Sequence, residues 1–155
     1  MKQIPITVQG FETLKKTLKQ LKTVDRPRNI KAIETARAHG DLSENAEFDA
    51  AKERQSFIEG KINGLEYKIA NARVIDPDTL SKDDIRFASR VILENLDSGE
   101  TVKYMLVGQE ESDINDGKIS VSSPLGRALI GKKPGDEVVL QAPGGKRIYE
   151  VMDIL

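Results

Sequence analysis

The sequence has no cysteine and no tryptophan among its 155 residues, and His39 is its single histidine. The absence of cysteine excludes disulfide bonds, zinc–thiolate sites and thiol nucleophiles. One histidine cannot build a histidine-based metal cage. No apolar stretch approaches the length of a membrane span, and the N-terminus lacks the apolar core of a signal peptide. We therefore expect a soluble, cytoplasmic protein without a membrane partner.

Neither sign of charge is in clear excess over the whole chain, but positive and negative residues are unevenly distributed along it. The formal net charge is −1. Residues 1–75 contain 14 Lys and Arg against 10 Asp and Glu, whereas residues 76–155 contain 10 against 15. A basic half joined to an acidic half indicates two tasks, one of them close to an anionic partner.

The basic half carries the periodicity of paired helices. Apolar residues recur at alternating spacings of three and four along two segments, with one polar interruption at Gln55. Asp25 and Pro27 predict a capped restart of the first helix, with a kink or short break there. Gly40 suits the left-handed position that ends the first arm. The two apolar series are Phe11, Leu14, Leu18, Leu21, Ile30, Ile33 and Ala36, then Phe48, Ala51, Gln55, Ile58, Ile62, Leu65, Ile69 and Ala72.

The acidic half predicts short strands around one short helix. Asp97-Ser98-Gly99 is a hairpin signal. Ser123 has the chemistry of an N-cap, with Pro124 at the first helical position and a stop at Gly131. The predicted strands are 86–96, 101–107, 118–122, 137–141 and 146–154.

These patterns predict an α+β protein with two domains. Residues 1–75 would form an antiparallel coiled-coil hairpin with an acidic tip at 40–47, and residues 76–155 a small globular domain. Two helices of an ordinary bundle are the alternative, but the chain lacks further long helices to complete a bundle.

The predicted turn of the hairpin holds Asp41 and Glu44. Their spacing is that of a capping box, so a purely structural role at a helix start is one interpretation. The functional interpretation is that both carboxylates face outward and bind a hard cation such as Mg²⁺. Two exposed carboxylates cannot form a complete cage, so they would complete a site whose other ligands come from another molecule. No nucleophile–base pair and no phosphate-binding glycine loop is evident.

Basic residues flank this turn. Arg37 precedes it, and Lys52 and Arg54 follow it. They could be ordinary solvated helix surface with ion pairs to neighbouring glutamates, or they could contact nucleic-acid phosphates. Phe48 fits the apolar seam, so we expect it to be core rather than a stacking platform.

At these residues the chain resembles the bacterial Gre transcript cleavage factors. Residues 36–48 (ARAHGDLSENAEF) resemble the tip signature of that family, and residues 122–132 (SSPLGRALIGK) are similar to its C-terminal motif. The resemblance covers essentially the whole chain. It implies a coiled-coil hairpin followed by a domain of FKBP-like fold.

The resemblance also implies a function and a site. Such a factor is not itself an enzyme: as a monomer it binds RNA polymerase at the secondary channel and stimulates the polymerase to cleave the nascent RNA 3′ end in backtracked complexes. Asp41 and Glu44 would help hold a second Mg²⁺ and the attacking water. That Mg²⁺ is supplied within the polymerase active site and is not stably bound by the free protein. Arg37 and Lys52 match positions that meet the extruded RNA. The polymerase rim would meet Ser122, Ser123 and Pro124.

Two other functions remain open. One is a Gre-like binder that occupies the channel and inhibits polymerase, which the unaltered Asp41 and Glu44 disfavour. The other is a peptidyl-prolyl isomerase, suggested by the FKBP-like fold that the resemblance implies. An isomerase needs an aromatic-lined proline pocket, and residues 76–155 contain only Phe87, Tyr104 and Tyr149 as aromatics.

Overall fold

The computed structural model describes residues 3–40 and 45–155. The chain divides into two compact units. We call residues 3–4 and 11–72 the hairpin unit, and residues 5–10 and 73–155 the sheet unit. The predicted boundary lies after residue 75, whereas the division in the structure follows Ala72 and gives residues 5–10 to the sheet unit.

Among the described residues, three α-helices and one π-helical turn form the hairpin unit, and the first of these helices begins in the sheet unit. They are α1 (Val8–Gln20), the π-helical turn (Leu21–Asp25), α2 (Arg26–Ala38) and α3 (Ala46–Ala70). Contacts across the two arms run in opposite chain directions. Lys22 pairs with Glu66 at 3.2 Å, and Arg26 pairs with Glu59 at 2.9 Å. The predicted antiparallel hairpin is confirmed.

The seam between the arms is narrow. Leu21, Ile58 and Ile62 are buried together, and Leu18 and Leu65 pack against them. All five belong to the predicted apolar series. Burial of such a stripe, rather than helix propensity alone, holds paired helices together.

The predicted side-chain cap at Asp25 is wrong, and so is the predicted place of Ile30 in the seam, whereas the predicted irregularity in the first arm is present as a π-helical turn. The helix continues through a π-helical turn, in which the Arg26 amide donates to the Leu21 carbonyl, and Asp25 is helical without a side-chain cap. A π turn inserts one extra residue, which rotates the following face by about 100°. Asn29 is therefore buried at 3% exposure, while Ile30 is 43% exposed.

The sheet unit contains a five-stranded mixed sheet, whose strands in chain order are β3 (Arg90–Asn95), β4 (Thr101–Val107), β5 (Lys118–Ser120), β6 (Glu137–Ala142) and β7 (Gly145–Ile154). Across the sheet their order is β5-β4-β3-β7-β6. Neighbouring strands are antiparallel except β4 and β5, which are parallel. Gly99, in the connection between β3 and β4, has a φ of +76°, as the predicted hairpin turn requires.

One helix, α4 (Pro124–Leu129), packs on this sheet. Ser123 is its N-cap and accepts from the Gly126 amide at 3.0 Å, so the predicted cap is confirmed. A Cβ at Gly126 would overlap the Ser120 carbonyl oxygen, so only glycine allows this close approach. Leu129 is completely buried in the core beneath the helix.

Two further strands were not predicted. They are β1 (Ile4–Thr7) and β2 (Ala72–Ile75), which pair in a two-stranded sheet. Within the sheet unit, the Glu111 carboxylate accepts from the amide and the hydroxyl of Thr7 at 3.2 and 2.5 Å. This α+β arrangement, a helical hairpin followed by a sheet-rich domain, confirms the predicted fold class.

Candidate functional site

The candidate site lies where the two arms of the hairpin are connected. The first arm ends at Ala38, and Gly40 has a φ of +107°, a value that favours glycine. The second arm begins at Ala46. Asp41 and Glu44, the predicted Mg²⁺-binding and catalytic carboxylates, lie outside the described residues.

Asn45 fastens this end of the hairpin and was missed by the sequence-based prediction. Its side-chain oxygen caps α3 by accepting from the Phe48 amide at 3.1 Å. Its side-chain nitrogen donates to the Ala36 carbonyl of the other arm at 2.6 Å. An asparagine directly before a helix with Glu47 in its first turn is a recognisable capping signal.

The cap of α3 bears on the structural interpretation of the acidic turn. A capping box at Asp41 would place the helix start at Leu42, whereas α3 begins at Ala46 and its N-cap is Asn45. The N-cap of α3 is therefore Asn45 and not Asp41.

A second contact also joins the arms beside the connection. The Nδ1 of His39 lies 3.3 Å from a carboxylate oxygen of Glu47, and both side chains are exposed. Glu47 is one of the glutamates that could have neutralised the flanking cations. In the part of the chain that the structure describes, the Glu47 carboxylate instead contacts His39.

The predicted RNA-binding residues flank one aromatic ring. The Arg37 guanidinium lies 5.9 Å from the centroid of Phe48, which is half-buried. Lys52 is exposed and follows Phe48 by four residues, so it lies one turn farther along the same face of α3. Neither cation forms an ion pair with a carboxylate among residues 3–40 and 45–155.

The same described ranges contain no group of three or more histidine or carboxylate side chains that could hold a metal. They also contain no helix that is both long enough and apolar enough to cross a membrane.

The predicted polymerase contacts differ in availability. Ser122 and Pro124 are exposed. The Ser123 hydroxyl donates to the Ser120 carbonyl at 2.6 Å while it caps α4, so its hydrogen-bonding capacity is used within the sheet unit. Ser122 shares a hydrogen bond of 2.7 Å with the hydroxyl of Ser120.

Both halves of the chain match family models. The model described as "Transcription elongation factor, N-terminal" matches residues 4–74, and the model "Transcription elongation factor, GreA/GreB, C-term" matches residues 80–155. Together these matches span both units of the fold.

Individual relatives match over the full length. Transcription elongation factor GreA of Halorhodospira halophila is 53% identical over 155 residues, covering 99% of this chain and 98% of the relative. GreA of Syntrophus aciditrophicus is 56% identical over 154 residues, covering 99% and 96%. Among solved structures, the GreA factor homolog 1 (Gfh1) protein of Thermus thermophilus is 28% identical, covers 99% of each chain and has a TM-score of 0.46. The chain belongs to the GreA/GreB family of transcription elongation factors.

Proposed function

We propose that this factor binds RNA polymerase as a monomer through the secondary channel and stimulates cleavage of the nascent RNA 3′ end in backtracked complexes. Membership of a transcription elongation factor family implies interaction with RNA polymerase. The main observation in support of cleavage stimulation is the structure of the end of the hairpin where the two arms are connected. Two antiparallel arms are fastened to each other by Asn45, and the short connection between them contains Asp41 and Glu44.

The donor chemistry of the connection fits a shared magnesium site. Asp41 and Glu44 offer carboxylate oxygens, which Mg²⁺ prefers, and they are too few for a dedicated cage. They would hold the ion together with ligands of the polymerase and would orient the attacking water. A second Mg²⁺ in such a site stabilises charge on the attacking and leaving oxygens of a phosphodiester. The factor itself is then an accessory protein, and the endonuclease is the polymerase.

The flanking cations support contact with the extruded RNA. Arg37 and Lys52 lie on either side of Phe48 and have no carboxylate partner among the described residues. Exposed cations on one face attract a phosphate backbone. In the sheet unit, Ser122 and Pro124 are exposed beside α4 and would contact the polymerase rim, with Ser123 holding the helix start in place.

The test uses stalled, backtracked elongation complexes with Mg²⁺ and measures the rate of RNA shortening. Asp41→Asn and Glu44→Gln keep the shape of each side chain and remove its charge. We expect each variant to lose most of the stimulation, on the order of 100-fold, because electrostatic contacts at a reacting centre contribute on that scale. Binding to polymerase should change little.

Asp49→Asn is the matched control. Asp49 is an exposed carboxylate in the first turn of α3, outside the connection between the arms. It should stimulate cleavage as the parent does. If the Asp41 and Glu44 variants also stimulate as well as the parent, the carboxylates have no part in cleavage and the proposal fails.

A further inference from the structure

One side of the hairpin has an elongated hollow between α2 and α3. It consists of two adjoining cavities of about 460 and about 380 Å³. Both are lined by Arg28, Ala32 and Arg54, so they form one continuous groove along the arms. We call this groove the basic cleft, because four cations line it: Arg28, Lys31, Arg54 and Lys61.

The positive charge of the basic cleft is largely uncompensated. Arg28 and Lys31 make no ion pair with any carboxylate in the described ranges. Arg54 donates to the neutral side chain of Asn29 at 3.1 Å. Two carboxylates also line the cleft, Asp25 and Glu47. Four cations against two carboxylates leave a net positive groove.

One end of the cleft, the end farther from the connection between the two arms, is apolar. Phe57 lines it and is 65% exposed, although it is a large aromatic side chain. Leu21 and Ile58, members of the buried seam, lie at the same end. The Nζ of Lys61 lies 5.5 Å from the centroid of the Phe57 ring. A ligand for this cleft therefore needs negative charge along most of its length and an apolar group at one end.

The basic cleft is on the other side of the hairpin from the proposed RNA contacts. Arg37 follows Arg28 by nine residues, which at about 100° per residue is half a turn around α2 from it. Lys52 precedes Arg54 by two residues, which is about 200° around α3. The two basic surfaces thus face in opposite directions, and one extended RNA strand that follows Arg37 and Lys52 does not reach the cleft.

We propose that the basic cleft docks an acidic protein segment of the polymerase channel wall, with an apolar side chain of that segment seated against Phe57. This inference rests on the proposed function, which places the hairpin inside a channel with RNA on the Arg37 side. The opposite side then faces protein. Arginine guanidinium groups pair with carboxylates in fork geometry, and exposed aromatic and arginine side chains are the residues that anchor protein interfaces.

The test measures binding of the full-length protein to core RNA polymerase that carries no nucleic acid. The variants are the double substitution Arg28→Ala/Lys31→Ala and, separately, Phe57→Ala. Arg54 is left intact because it supports Asn29 in the seam. We expect each variant to bind core polymerase about tenfold more weakly, with the loss for the charge variant shrinking at high salt. Lys16→Ala, an exposed cation on α1 outside the cleft, should bind within about twofold of the parent.

Two results would overturn the inference. In the first, the cleft variants bind core polymerase as tightly as the parent, while the parent still stimulates cleavage; the proposed function then stands without the cleft. In the second, the variants keep their affinity for core polymerase and lose affinity for a single-stranded RNA of about 20 nucleotides, which assigns the cleft to RNA. Failure of the Asp41 and Glu44 variants to affect cleavage is a separate result and contradicts the proposed function instead. Thermal melting of each variant, followed by circular dichroism, checks that weaker binding is not caused by unfolding.

Discussion

The two units of this protein differ in how much core they possess. Among residues 3–40 and 45–155, ten buried residues form the main cluster of the sheet unit, whereas the corresponding cluster in the hairpin unit has three, with Asn29 buried nearby. The residues proposed to act on RNA belong to the hairpin unit, and those proposed to contact the polymerase rim belong to the sheet unit. A narrow seam leaves most side chains of a two-helix rod in solvent, which gives one hairpin room for two basic surfaces on opposite sides.

Truncation of one core residue in each unit tests this difference most strongly. Leu129→Ala in the sheet unit and Ile62→Ala in the hairpin unit remove side chains that are 0% and 1% exposed. Such changes cost about 2–5 kcal/mol, depending on how far the surroundings can collapse. We expect Leu129→Ala to fall near the upper end of that range and Ile62→Ala near the lower end, because the hairpin packs fewer groups around its seam.

Hydrogen exchange followed by mass spectrometry can measure each unit separately. Ile62→Ala should accelerate exchange in α2 and α3 and leave β3 and β7 protected, and Leu129→Ala should do the reverse. If either substitution destabilises both units equally, they unfold as one cooperative body, and the comparison of two separate cores is wrong.

The sequence predicted the elements that have strong local signals. The heptad spacing located the seam, and Ser123 followed by Pro124 located the start of α4. The strand at Thr101–Val107 was predicted with its observed bounds. The predicted strand at 86–96 begins four residues late in the structure, because Phe87 and Ala88 form a turn in which Ala88 has a φ of +72° and the Ser89 amide donates to the Arg86 carbonyl.

Other features depend on partners that are remote in sequence. No proline or glycine within Leu21–Asp25 marks the π-helical turn in the sequence. The turn is recognised from the burial that follows it, since Asn29 and not Ile30 occupies the seam. The carbonyl that Asn45 binds belongs to Ala36 in the other arm. The basic cleft likewise needs both arms, since Arg28 and Arg54 are far apart in the chain. For the candidate site, the sequence indicated Asp41, Glu44, Arg37 and Lys52 as separate residues. The structure shows in addition that Asn45 joins the two arms and that Phe48 lies beside Arg37.

The second prediction concerns the hydrogen bonds with which Asn45 fastens the hairpin end. Asn45→Ala removes both the cap of α3 and the bond to Ala36. Loss of an N-cap costs about 0.5–2 kcal/mol, so the hairpin unit should become less stable by about 1 kcal/mol or slightly more. Denaturant unfolding followed by far-ultraviolet circular dichroism measures this loss.

Asn45→Asp separates the two bonds made by Asn45. Aspartate is an equally good N-cap, but it cannot donate to the Ala36 carbonyl. If Asn45→Asp is as stable as the parent, the cross-arm bond contributes little and the cap alone fastens this end. An intermediate stability shows that both bonds contribute.

The smallest expected effect is a pH dependence confined to the sheet unit. Burial raises the pKa of Tyr104 above its usual value, with a further increase from Tyr149 and a partial opposing effect from Arg147. Because the neutral phenol is favoured in the folded state, the unfolded chain ionises first, at a pKa of about 10. Stability should therefore be unaffected by this group below pH 10 and should decline as the pH rises from there through the folded pKa.

Tyr104→Phe should remove that part of the alkaline decline, whereas Tyr67→Phe, at a 60% exposed position in the hairpin unit, should not. Urea midpoints measured from pH 8 to 11 compare the three proteins, and an unchanged alkaline slope in Tyr104→Phe would mean that the tyrosine is not held neutral by the sheet unit.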